Sequence, residues 1–442
     1  MSEFNTAESK DNNKIKRGAR SLLRDFAVIV GIAFVFAFAA CDFLLDDDTN
    51  GKGIVENLPP VGSYVHTTPD GRTMTIYYVL PTNVNNDTKV IFSMHGTDRN
   101  ADSYIVSSRP LSIIGNFAVI APQFSLANFP WSAYQMINIS VTSGNVNQYS
   151  EWSFNHIDRI FDEFVEKFEL SAATYILTGH SAGGQFTHRS LMFSKSPKLD
   201  YAIAANAGTY TFLNEGSTNT DWNYGRGIRN LSSLKEDLLH NLANKKLHIL
   251  IGSLDNDPNA ANFDRGIWDV QGISRYERAY NFFDAAQKFA IENNVNFNWE
   301  LTVMDGVGHN TSRTMPYIAD IITKDTRPAI LAAAANLSGQ ERIYGTWYSS
   351  GNSVYVITKD TVTYVYNSEY FVVSINSFTA DTNVETVNPA LYPNGYRIRG
   401  VYTETNQSST SVGDSFDRRF YPAADNSSIV RRGSTNVWNR YR

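Results

Sequence analysis

The run Gly179-His180-Ser181-Ala182-Gly183, followed by Gly184, sets a serine between glycines after an apolar stretch and ahead of a helical one. A strand, a sharp turn and a helix in that order hold a serine hydroxyl out on strained backbone, where a flanking Cβ would strike the neighbouring strand or helix. A hydroxyl is a weak nucleophile until a base takes its proton. The motif therefore predicts a carboxylate and a histidine further along, in the order Ser, Asp or Glu, His. Residues 247–251 lead into Gly252-Ser253-Leu254-Asp255, and a later run leads into Asp305-Gly306-Val307-Gly308-His309. His309 is the expected base. Asp255 is favoured as the acid because it stands directly at a strand end. Asp257 in the same Asp-Asn-Asp-Pro loop remains a rival, and Asp305 is a remoter one whose other role is a turn residue before Gly306. His95, His180 and His188 are the rival histidines, of which His95 is expected to pack beside Gly96 and His180 to point away from inside the elbow. A tetrahedral intermediate also needs donors for its oxyanion, and the backbone N–H groups of Ala182 and Thr97 are the two candidates.

These residues need a scaffold that delivers strand ends to one edge. Short β-branched or apolar runs at 73–80, 90–94, 118–121, 175–178, 201–206, 247–251 and 299–304 alternate with helix-periodic segments at 152–168, 185–194, 231–242 and 276–291. That alternation predicts an α/β three-layer sandwich with a mostly parallel sheet, whose sites lie at the carboxyl ends of the strands. From about Ser338 the composition shifts to Tyr, Val, Thr and Ser in period-two patterns such as Ser353-Val354-Tyr355-Val356-Ile357-Thr358, with Asn394-Gly395 among the turn signals. A small C-terminal all-β antiparallel domain is expected over 338–442, as a cover, a spacer or a binding module.

The elbow, His95-Gly96-Thr97-Asp98-Arg99-Asn100-Ala101, Ala121-Pro122-Gln123-Phe124, Ala204-Ala205-Asn206-Ala207-Gly208, residues 252–258 and Gly306 to His309 together resemble the α/β-hydrolases. Within them the likeness is to secreted esterases similar to polyhydroxybutyrate depolymerase-like and feruloyl esterase-like proteins, over roughly residues 62 to 330. The resemblance implies hydrolysis of a small or polymeric ester through an acyl-enzyme, with no metal or organic cofactor. An insert carrying Phe124, Phe129, Trp131, Tyr134 and Tyr149 is expected either to overhang the nucleophile and bind an acyl or aryl group, or to pack as an ordinary long loop. Gly345-Thr346-Trp347 resembles the start of a lipocalin.

The N-terminus reads as an address. Lys10, Lys14, Lys16, Arg17, Arg20 and Arg24 precede an uncharged run from Phe26 to Ala40, a length suited to a signal core and short of a bilayer span. Phe38-Ala39-Ala40-Cys41 resembles the bacterial lipobox, which implies cleavage before Cys41 and a lipid on its sulfur. The expected plan is a signal peptide over 1–40, an acidic tether over 41–61, a catalytic domain over 62–335 and the β-domain. The protein would then be lipid-anchored and extracytoplasmic in a bacterial cell envelope. Cys41 is the only cysteine in 442 residues, which excludes an internal disulfide, any CxxC redox motif and Cys-rich zinc sites. With 38 basic against 44 acidic residues there is no polybasic footprint for nucleic acid. A serine peptidase, or a non-catalytic surface lipoprotein that binds a partner through its β-domain, are the alternatives.

Overall fold

The computed structural model describes residues 61–139, 145–213, 228–367, 369–381, 395–431, 434 and 436–441. The proposed leader, Cys41, the tether as far as residue 60 and Asn394 lie outside the described residues. Eight strands form the first sheet: β1 (Val61–Thr67), β2 (Thr73–Val79), β3 (Lys89–Met94), β4 (Phe117–Pro122), β5 (Tyr175–His180), β6 (Leu199–Ala205), β7 (Lys246–Gly252) and β8 (Glu300–Met304). Their order is β1-β2-β4-β3-β5-β6-β7-β8. From β3 to β8 the pairing is parallel, while β1 and β2 form an antiparallel hairpin whose second strand also runs antiparallel to β4.

Every residue of β4 and β5 is buried, as expected of strands covered on both faces. Side chains alternate between two apolar layers. Val90, Phe92 and Leu177 join one core, and Ile91, Val119 and Ile176 join the other.

The first layer is completed by α3 (Asn155–Lys167), α4 (Ala182–Phe193), α5 (Lys235–Asn244) and α6 (Arg275–Glu292), through residues such as Ile160, Phe186, Leu238 and Phe282. The opposite layer comes from α1 (Ala101–Ile114) and α7 (Thr311–Ile322), through Ile105, Leu111, Met315 and Ile318. A single turn, α2 (Trp131–Tyr134), lies in the insert after β4, and α8 (Arg327–Ala334) follows α7. Among the described residues, no helix is long and apolar enough to cross a membrane.

The C-terminal strands β9 (Gly345–Ser349), β10 (Ser353–Ile357), β11 (Thr361–Tyr366), β12 (Glu369–Asp381), β13 (Gly395–Thr405), β14 (Ser415–Pro422), β15 (Ser428–Arg431) and β16 (Val437–Arg440) close into an antiparallel barrel. Closure comes from β9, which pairs with both β10 and β16. The interior is filled by side chains, among them Trp347, Tyr355, Phe371, Phe420 and Trp438. The Arg440 guanidinium lies 4.1 Å from the Trp347 ring centroid and donates to the carbonyls of Arg342, Tyr344 and Asn426.

The barrel is packed onto the α1 and α7 side of the sheet. Tyr348, Val354, Val365 and Tyr441 share an apolar cluster with those helices, and Asn352 Nδ2 donates to the Ser107 carbonyl.

Candidate active site

Ser181 follows the last residue of β5 and precedes the first of α4, with φ 59° and ψ −119°. That backbone is costly for a residue with a side chain and persists because its surroundings leave no alternative. The neighbouring glycines show how tightly it is held. A Cβ on Gly179 would lie 2.3 Å from the Gly183 carbonyl oxygen, and one on Gly183 would lie 2.1 Å from that of Met94. Ser181 N–H donates to Ala205 O at 3.0 Å, tying the turn to β6.

Two further loops meet this turn. Leu254 N–H donates to Val307 O and Ser253 N–H to Met304 O, so the segments after β7 and β8 are hydrogen-bonded to each other. They bring Asp255 and His309 to the serine. His309 Nε2 is 2.9 Å from Ser181 Oγ, and His309 Nδ1 is 2.7 Å from Asp255 Oδ2. A carboxylate only accepts, so Nδ1 carries the hydrogen and Nε2 is left to accept from the hydroxyl. Such a chain can move a proton off a hydroxyl and hold the resulting imidazolium. Asn310 then caps α7 by accepting from Arg313 N–H at 2.9 Å, which fixes the chain immediately after His309.

Asp255 is 4 % exposed. Its second oxygen accepts from Arg275 Nη1 at 3.2 Å, and Arg275, at 1 % exposure, also donates to the carbonyls of Ala261 and Asn262. Arg275 is the first residue of α6, whose N-cap Ser274 accepts from Glu277 N–H. The sequence offered no local signal for this ion pair, because only the fold brings the two residues together.

The rival Asp257 is exposed, and its side chain accepts from Asn259 N–H within its own turn. Asp305 is exposed and precedes Gly306, whose φ of 66° marks the turn. His95 is buried and accepts from Phe124 N–H, and His188 is buried and accepts from Thr211 N–H.

The expectation that His180 points away is corrected. Its ring lies against that of His309, with centroids 4.6 Å apart. Asn206, left-handed at φ 46°, accepts from Gly252 N–H through Oδ1, so its Nδ2 faces His180 Nε2 at 3.2 Å. His180 Nε2 therefore accepts, and Nδ1 donates toward Thr311 Oγ1 and Tyr104 Oη, at 3.1 and 3.2 Å. Burial, and after it the charges of His309 and Arg275, hold the His180 pKa well below its ordinary value. A neutral imidazole thus supports one side of His309. Asn206, Tyr104, His180 and Arg275 are all parts of the site that motif reading did not assign.

The cleft over Ser181 has a volume of about 210 Å³ and is lined by Gly96, Thr97, Asp98, Asn100, Tyr104, His180, Ser181, Ala261, Asn262, His309 and Thr311. Thr97 lines the same cleft as the serine, and Ala182 opens α4, where the first amides have no partner within the helix. Among the described residues, the aromatic side chains of the insert do not line it. Phe124, Phe129 and Tyr134 are fully buried core residues, while Trp131 packs on Trp268, with centroids 6.2 Å apart. Among the described residues, no group of three or more His, Cys, Asp or Glu side chains is gathered as a metal ion would need.

No family model and no curated protein matches the chain. Solved structures do. Poly(aspartic acid) hydrolase-1 from Sphingomonas sp. KT-1 is 30 % identical with a TM-score of 0.55, over 60 % of this chain and 98 % of that one. LpqC, a poly(3-hydroxybutyrate) depolymerase from Bordetella parapertussis, shows the same fold with a TM-score of 0.54 at 24 % identity, over 61 % and 94 %. With the parallel sheet, the serine elbow and a relative of this similarity in agreement, the chain belongs to the α/β-hydrolase esterase family.

Proposed function

We propose that the protein cleaves carboxylic esters through an acyl-enzyme, with Ser181 as nucleophile, His309 as base and Asp255 as the carboxylate that orients and stabilises the imidazolium. The observation that carries this reading is the unbroken path from Ser181 Oγ through His309 to Asp255, at 2.9 and 2.7 Å. Ser181 Oγ attacks the ester carbonyl as its proton passes to His309 Nε2. The oxyanion is met by the amides of Ala182 and Thr97, a type of contact worth about 2.7–4 kcal/mol. His309 then protonates the leaving alkoxide, water repeats the sequence on the acyl-enzyme, and Ser181 is regenerated.

A peptidase-like reading has one observation in its favour, the similarity to a protein named for hydrolysis of poly(aspartic acid). A kinetic panel separates the two. We expect p-nitrophenyl acetate and hydroxybutyrate oligomers to be turned over, matched peptide amides to be slower, and Ser181→Ala to lose all of it. Faster amide than ester turnover would favour the peptidase, and no Ser181-dependent turnover would favour a non-catalytic surface protein.

We further propose that Cys41 carries lipid and tethers the enzyme outside the cytoplasm. Its support is the basic leader, the uncharged run and the two alanines before the cysteine. Metabolic labelling with an alkyne fatty acid should mark the wild type and not Cys41→Ser; equal labelling of both would overturn the anchor. The barrel, filled by its own side chains, is read as a cover for the α1 and α7 face rather than a ligand container.

A further inference from the structure

We propose that the cleft selects an acyl group bearing an ammonium or similar cationic hydrogen-bond donor, which pairs with Asp98; this rests on the ester-hydrolase reading above.

Asp98 lines the cleft together with Ser181 and His309. It is exposed and makes no ion pair or side-chain hydrogen bond among the described residues. Its charge is felt within the cleft: burial first, and the Asp98 carboxylate with it, push the Tyr104 hydroxyl up to about 12. The cation adjacent in sequence is turned away. Arg99 adopts a left-handed φ of 59° and sends its guanidinium into the core, where it donates to Phe124 O at 2.8 Å and lies 4.5 Å from the Tyr134 ring centroid. The Arg275 guanidinium is held by Asp255 and by the carbonyls of Ala261 and Asn262, whose residues form the cleft wall. Among the described residues, no lysine or arginine lines the cleft.

Asn100 is not a second acceptor, because its Oδ1 is buried from solvent. It stands at the N-cap of α1, a position where asparagine ordinarily caps the helix through its side chain. Here it makes no such bond, and Oδ1 has no hydrogen-bond donor. The acceptor that the cleft offers to a cation is thus the exposed carboxylate of Asp98. A carboxylate beside a forming oxyanion repels it, whereas a substrate cation bound there would remove that repulsion and add a charge-assisted hydrogen bond. The small volume and the polar lining from Thr97, Tyr104 and Thr311 favour a short acyl chain.

The test compares three p-nitrophenyl esters of similar reach: propionyl, 3-aminopropionyl and hemisuccinyl. In the wild type kcat/KM should fall in the order aminopropionyl, propionyl, hemisuccinyl. The cationic-to-neutral ratio should be about tenfold, which corresponds to roughly 1.4 kcal/mol, and should shrink as salt is added. In Asp98→Asn that ratio should approach one. Ser181-dependent propionyl turnover with no preference for the cation, or a preference unchanged by Asp98→Asn, overturns the subsite while leaving the esterase standing. Loss of turnover on all three esters in the wild type overturns both.

Discussion

The carboxylate of Asp255 sits between two hydrogen-bond donors of different kinds. His309 is partly exposed and in the proposed reaction exchanges protons, whereas Arg275 is buried and fixed, so the arginine sets where the carboxylate can stand. Breaking a buried ion pair from one side leaves the other charge without compensation, at about 3–5 kcal/mol. Arg275→Gln should therefore lower the unfolding free energy read from denaturant melts by that order and impair turnover, while a change below about 1 kcal/mol would contradict the role given to Arg275. Ser181, Asp255 and His309 could be read from sequence because each closes a short apolar run with a local turn signal. Arg275 and Asn206 could not, since their partners are set by contacts between loops distant in the chain. His180 was misjudged for the same reason: its position within the elbow is local, but the ring it meets arrives from the turn after β8.

At the scale of elements, close backbone approach dominates. The first turn of α4 lies against the end of β3 with no room for a methyl group at Gly183, and overpacking of this kind costs typically 1–3 kcal/mol. Gly183→Ala should lower the melting temperature and, by displacing Ser181, reduce ester turnover more than stability alone explains. Wild-type turnover in that variant would show the elbow geometry to be dispensable.

The parallel strands were legible because burial on both faces makes them continuously apolar. β1 escaped because it is an edge strand with a single buried residue, His66. α1 and α7 escaped because Pro110 and Pro316 lie within them, and proline reads as a helix breaker. The sequence foresaw antiparallel strands in the tail but not their closure, which depends on β9 pairing at both of its edges.

For the whole molecule, buried histidines set the response to acid. Burial holds His95 at about 3 and His156 at about 4, and holds His180 and His188 well below the ordinary value. Unfolded, the same residues take up protons near pH 6.5. Below that pH the unfolded chain binds more protons than the folded one, so stability should fall as pH drops from about 6.5 toward 4. The limit is about 1.4 kcal/mol per unit for each histidine. Thermal melting between pH 4.5 and 7.5 reads this directly, and a flat profile below pH 6.5 would contradict it. The apolar cluster that α1 and α7 share with the barrel makes both parts of the described chain subject to that loss.

Everything proposed for the cleft depends on one step, the activation of the Ser181 hydroxyl by the His309 imidazole. Labelling with a fluorophosphonate, followed by peptide mapping, tests it most directly. A single adduct on Ser181 in the wild type, absent in Ser181→Ala and slowed at least a hundredfold in His309→Ala, is the predicted result. No adduct, or one that forms at the same rate without His309, would contradict the account.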